Sequence, residues 1–216
     1  MVQGVSQPTI LAFDTSAAHC AAALLHDGSV TIQIDEMAKG QAEHLIPMLE
    51  RLLAQAGLSW GDLDGIGVGI GPGNFTGIRI SVSAARGLAL GLGVTAVGVS
   101  TLDALSLGLN NAIACLAAPR GRAYIQADGV AALCALTADE MPPYQARSEP
   151  VLVGDAADSV AALLPLQVVA PKFPVIEAIA RLAAARLHST TAAPAPLYLR
   201  EADAAPPRDA PPVILP

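Results

Sequence analysis

The chain has 216 residues, 53% of them hydrophobic and 14% charged, with a formal charge of -7 from 12 Lys plus Arg against 19 Asp plus Glu. So apolar a composition excludes disorder over most of the length, and the lack of any basic run argues against a chain that holds nucleic acid unaided, because phosphate contacts need a concentrated cationic stripe. Three cysteines without a CxxC spacing favour reduced thiols in a cytoplasm, and neither the N-terminal MVQGVSQPTILAFD nor the glycine-laden uncharged stretch 87–102 is made like a signal peptide or a membrane span.

Residues 9–14, TILAFD, form an apolar strand that ends in Asp14-Thr15-Ser16. A second apolar run covers 20–25, and Asp27-Gly28 tolerates the positive φ of a tight hairpin. Thr31, Ile32 and Ile34 carry the chain into a third strand, which predicts an antiparallel meander. Residues 40–57 set Leu45, Leu49, Leu52 and Ala56 at helical spacing with Gly57 as the stop. Pro47 interrupts this run, so the helix either begins near Ile46 or bends there. A strand over 64–70, a helix over 75–91 and a strand over 94–99 follow. The next helix opens at Ser100 or Thr101, with Asp103 in its first turn. Beyond it the pattern thins to strands over 112–118 and 122–136, with a turn at Gly129. A proline-bearing loop over 137–150 and helices over 155–164 and 175–187 complete the reading. From Pro194 the chain is too rich in proline for a helix and reads as an extended tail. No internal repeat is visible.

The most informative stretch is GIGVGIGPGNFTGIRIS, residues 65–81. It is not a Walker loop, because Gly77 is followed by Ile78 rather than lysine and the spacing from Gly71 is one residue too long. Nor is it a dinucleotide fingerprint, since Thr76 stands where the third glycine belongs. Gly65, Gly67, Gly69 and Gly71 alternate with Ile66, Val68 and Ile70, which leaves one strand face bare for a helix, a ligand or another backbone. Periodicity alone leaves the occupant open between the chain's own packing and a docked helix, and only the resemblance given below makes a helix from another chain the expected one. Asn74 is a natural N-cap, and the N–H groups behind it could receive an anion. Within the helix Ile78, Val82, Ala85, Ala89 and Leu92 form an apolar stripe. Ser83, Gly87 and Gly91 form a line of small residues that permits close helix approach, either to the chain's own sheet or to another subunit. Arg79 and Arg86 project from similar sides, as a solvated edge or as the polar rim of a docking face.

The stretches ILAFDTSAAHCAAALLHDG (10–28), HLIPMLERLL (44–53), DGIGVGIGPGNFTGIRISVSAARGLALGL (64–92), VGVSTLDAL (97–105) and PLYLR (196–200) resemble the bacterial TsaB family, also called YeaZ. The pattern GPG-x-FTG-[IV]-R is specific, and the resemblance is dense over 9–105 and thin beyond. It implies an α/β chain with the actin-like ATPase (ASKHA, ribonuclease H-like) fold, two lobes of mixed sheet flanked by helices. Here that means an N-terminal lobe over 1–105, a smaller C-terminal lobe over 106–203 and a proline-rich tail over 204–216. It also implies a part in making threonylcarbamoyladenosine in tRNA, as a non-catalytic partner of a TsaD-type transferase and a TsaE-type ATPase. A homodimer is expected when the chain is alone, with no direct tRNA binding and no membrane association. Family contacts run through helices of the N-terminal lobe, which makes Arg79, Ser83, Arg86, Gly87, Leu90 and Gly91 the interface candidates.

No catalytic residue, metal ligand or firm cofactor follows from the resemblance. ATP or ADP with Mg at the subunit interface is a candidate ligand, with Asp14, Thr15, Ser16, Gly71, Gly73, Asn74 and Thr76 as the candidate phosphate contacts. Yet ATP-binders of this fold place a glycine-containing turn after the first-strand Asp, whereas Asp14 is followed by Thr15, Ser16, Ala17 and Ala18. Gln41 stands where the family often has His, and Asn74 where Ser is usual. AAPRGRAY (117–124) replaces DAR-x-GEVY, with Ala117 and Pro119 in place of the Asp and the first Arg. These departures weigh against a self-sufficient active site. The alternative is a stand-alone ATP-binding enzyme or a glycoprotease-like peptidase. Against the latter, the GxSxG elbow is missing, and His19, His26, His44 and His188 lie outside any HExxH pattern.

Overall fold

The computed structural model describes residues 7–137 and 149–199. The expected tail over 204–216, most of the loop expected over 137–150 and Arg200 of PLYLR lie outside them.

The first half builds a five-stranded sheet in the order β3-β2-β1-β4-β5. Strands β1 (Ile10–Asp14), β2 (His19–His26) and β3 (Ser29–Glu36) are the expected antiparallel meander, while β4 (Gly65–Gly69) and β5 (Thr95–Val99) add parallel to β1. Helices α1 (Gln41–Gln55) and α2 (Phe75–Leu92) are the crossovers. The second half repeats this plan as β10-β9-β6-β7-β8. There β6 (Ala112–Ala118), β7 (Arg122–Ala127) and β8 (Val130–Ala135) form the meander, and β9 (Val151–Val153) and β10 (Gln167–Val169) run parallel to β6. The repeat leaves no trace in the sequence because what recurs is strand order and direction. Neither β9 nor β10 was expected, since three residues cannot display an alternation. Helix α4 is confined to Ala157–Ala161, short of the expected 155–164.

Helix α1 does not begin near Ile46. It starts at Gln41, with Gly40 in the left-handed region at φ 89 and Pro47 inside the helix. A proline there costs about 3 kcal/mol, but Leu45, Met48, Leu49, Leu52 and Leu53 are all buried on one face, and each contributes roughly 1.5–3 kcal/mol. Burial wins.

Helices α3 (Thr101–Ser106) and α5 (Val175–Arg186) lie between the two sheets. Ala104 of α3 joins the core of the first sheet, whereas Leu102 and Leu105 join that of the second. The boundary at residue 105 therefore separates the sheets but not the helices. Although α5 falls within 106–203, it packs Ile176, Ile179, Ala180 and Ala183 against Ile10, Ala12 and Val97. Asp103 ties the layers together, accepting from Gln126 Nε2 of β7 at 2.8 Å and from Arg186 Nη2 of α5 at 2.9 Å.

The bare face of β4 is covered from within. A Cβ on Gly67 would lie 2.9 Å from Cβ of Ala183, and one on Gly65 would strike Leu187. The expectation that another chain's helix fills this face is corrected: the occupant is α5. The steric reasoning held, but the covering helix comes from more than a hundred positions along the same chain.

Candidate functional site

At the carboxyl end of β1 and β4 the candidate phosphate residues are brought together, and they satisfy one another. Asp14 Oδ1 accepts from the Ser16 backbone N–H at 3.2 Å, and Oδ2 accepts from Ser16 Oγ at 2.8 Å. Asn74 Oδ1 caps α2 by accepting from Gly77 N at 3.0 Å, as expected. Its own N–H donates to Ser16 O at 2.7 Å. Thr15 Oγ1 donates to Gly77 O at 2.7 Å. Asp14, Thr15 and Ser16 are all buried. The glycines of the loop serve this contact: a Cβ on Gly73 would lie 2.6 Å from Ser16 O, and one on Gly77 would overlap Thr15 O. Gly71, at φ 91, instead closes on Ile78 and accepts from Thr101 N. Thr76 is exposed. The backbone of residues 15–16 thus packs directly on the glycines of the loop, while Gly73, Asn74 and Thr76 remain exposed.

His19 Nε2 stands 3.5 Å from Asp14 Oδ2. Serine and histidine both address the carboxylate rather than each other, so the serine–histidine bond that activates a hydroxyl is not formed by these three groups. Burial pushes the Cys20 thiol up to about 11 and the Cys115 thiol up to about 12, which keeps both protonated and unreactive at neutral pH. Among the described residues, no group of three His, Cys, Asp or Glu side chains could hold a metal ion.

The Asp14 hydrogen bond raises the His19 pKa above 6.5, against the opposing effect of desolvation, with the charges of Asp14 and Glu36 adding to the rise. A raised folded-state pKa stabilises most at low pH. This contribution is full below about pH 6.5 and is lost as pH rises through the folded value. The stability gap between the wild type and His19→Ala should therefore narrow between pH 6 and pH 8, as read by urea midpoints. A gap that widens over that range would refute the pairing.

Helix α2 turns two different faces outward and inward. Ile78, Val82, Ala85 and Ala89 are buried against the sheet, as the apolar stripe predicts. The small-residue line does not pack on the chain's own sheet: Arg79, Ser83, Arg86, Gly87, Leu90 and Gly91 are all exposed, and a Cβ on Gly87 or Gly91 would meet nothing within 4 Å. Leu90 is 86% exposed. Arg79, Val82, Ser83 and Arg86 line a groove of about 410 Å³, completed by Pro196 and Tyr198.

Phe75, Pro196 and Tyr198 stand in the motifs that carry the resemblance, GPG-x-FTG and PLYLR, but sequence reasoning did not place them among the interface candidates. Tyr198 stacks on Phe75 with ring centroids 5.2 Å apart, its hydroxyl accepts from Arg79 Nε at 3.1 Å, and the Arg79 guanidinium lies 4.0 Å from the Phe75 ring centre. The strap that delivers Tyr198 is pinned by Leu197 N donating to Ile70 O at 2.8 Å and by Leu199 packing on the second core. The PLYLR motif marked Tyr198 as a family feature without saying what the ring touches.

A family model described as TsaD, tRNA N6-adenosine threonylcarbamoyltransferase, matches residues 32–203. The structure is similar to YeaZ from Pseudomonas aeruginosa, at 27% identity and a TM-score of 0.72, with 89% of this chain and 100% of that chain covered. A second structure, of a protein with similarity to the peptidase YeaZ from Pseudomonas aeruginosa, matches at 26% identity and a TM-score of 0.71 over the same shares. No curated protein matches the sequence. The two mixed sheets flanked by helices are the actin-like ATPase architecture. No helix among the described residues is long and apolar enough to cross a membrane.

Proposed function

Because the chain belongs to the TsaD-type tRNA N6-adenosine threonylcarbamoyltransferase family, as a member of its YeaZ (TsaB) branch, we propose that it acts in tRNA modification as the non-catalytic partner of a TsaD-type transferase. The observation that carries this reading is the outward face of α2, where Gly87, Leu90 and Gly91 stand open to solvent farther along the helix whose first turns carry the Phe75–Arg79–Tyr198 cluster. An exposed leucine together with exposed Phe, Tyr and Arg on one helix face has the composition of an interface core and its rim. The self-satisfied Asp14–Ser16 turn supports a supporting role rather than a catalytic one, and we assign no nucleotide to it. A TsaE-type ATPase is the further component, the location is cytoplasmic, and the α2 face pairs two copies when the transferase is absent. With a charge of -7, tRNA contact falls to the assembly and not to this chain alone.

The test is co-expression with the transferase, co-purification, and detection of threonylcarbamoyladenosine in tRNA by nucleoside mass spectrometry. Modification that requires both chains is the expected result. Micromolar ATP–magnesium binding by the isolated chain, with turnover abolished in Asp14→Ala, would replace this reading with the enzyme reading.

A further inference from the structure

The open face of α2 carries charge of one sign only. Residues 75–92 contain Arg79 and Arg86 and no carboxylate, and among the described residues neither arginine makes an ion pair. Arg79 gives one N–H to a neutral phenol, which leaves most of the five donors of its guanidinium for other acceptors. Arg86, two turns along the helix, lines the same groove. Among the described residues, then, the two arginines that line this aromatic groove have no carboxylate partner, although the chain as a whole carries a charge of -7.

We infer that the partner element received by this groove is a helix bearing carboxylates about two turns apart, with a larger apolar side chain between them. The inference rests on the docking reading above and specifies what docks. Seven residues of helix separate the arginines by about 10 Å along the axis, which matches carboxylates at i and i+7 of an opposing helix. Each carboxylate would take a paired, fork-like hydrogen bond from one guanidinium. The intervening apolar side chain sits over Ser83 and Val82, with Pro196 and Tyr198 as the side wall. Beyond Arg86, Gly87 and Gly91 let the two backbones draw close. The same charges discriminate among occupants. A second copy docking α2 on α2 brings guanidinium against guanidinium, so this face prefers the acidic partner over itself.

Arg86 is the cleaner probe because Arg79 also supports Tyr198. The Kd of the purified chain for the TsaD-type transferase should weaken at least tenfold in Arg86→Glu at low salt. Arg86→Ala should flatten the salt dependence, and Arg86→Lys should recover part of the affinity. Thermal unfolding of each variant should match the wild type, since the side chain is exposed. If Arg86→Glu binds as the wild type does, with the same salt slope, while Gly87→Leu loses binding, the acidic-helix inference fails and the docking reading stands. If neither substitution matters, the docking reading itself fails.

Discussion

Replacing Gly77 with alanine should leave little folded protein. The glycine sits in the first turn of α2, where a Cβ would overlap the backbone oxygen of Thr15 and lie 2.8 Å from its carbonyl carbon. Neither side can yield cheaply. Thr15 is fully buried, and its hydroxyl is bonded to Gly77 O at 2.7 Å. The helix start is held by the Asn74 cap and by Asn74 N donating to Ser16 O. Moving the turn would also disturb Asp14, whose two oxygens are committed to Ser16. Alanine in an open helix position would be favourable by about 1 kcal/mol, but overpacking against fixed backbone costs on the order of 3 kcal/mol. Against a total stability of about 5–15 kcal/mol, that is a large share. Urea unfolding should show a midpoint shifted far down, or expression should yield aggregate. A variant within 1 kcal/mol of the wild type would mean that the β1–β2 turn is looser than described.

Ten residues along the same helix, Gly87→Leu should do the opposite to the fold and great harm to assembly. Nothing lies within 4 Å of a Cβ at this position, so the chain itself loses no contact. The isolated protein should gain up to about 1 kcal/mol from helix propensity. A leucine there would hold a docking helix away from the backbone and remove the close approach that the small residues allow. Displacing packed contact by one large side chain costs roughly 1–3 kcal/mol, and in binding that is about a 5–150-fold weaker Kd. Titration of the TsaD-type partner by calorimetry, with circular dichroism as the control for folding, separates the two effects. Unchanged affinity in a well-folded variant would remove Gly87 from the interface. Gly77 and Gly87 are thus expected to fail in opposite ways, the first in folding and the second in assembly.

Much of the first sheet was readable before any contact was known. The meander, the Asn74 and Ser100 caps and the buried stripe of α2 follow from patterns completed within a few residues of each other. The second half was harder. Strands of three residues such as β9 and β10 carry no period, and α4 has barely a turn in which to display one. The candidate site divided in the same way. Arg79, Ser83 and Arg86 were legible because helical spacing puts them on one side. The meeting of Tyr198 with Phe75 and Arg79 was not, although PLYLR stood out as a motif, because it depends on a hydrogen bond between Leu197 and Ile70.

Local chemistry along the chain therefore established the element types of the first half, the caps and the need for glycine on β4. It could not say who meets those glycines. That was settled by α5 crossing back from the second half to fill the bare face, and by the turn at Thr15 closing on Gly77. Side-chain size and backbone preference act between near neighbours, whereas the partner of an empty face is chosen by how the whole chain buries its apolar surface. Helix α5 found that face, and the line of Ser83, Gly87 and Gly91 was left facing out.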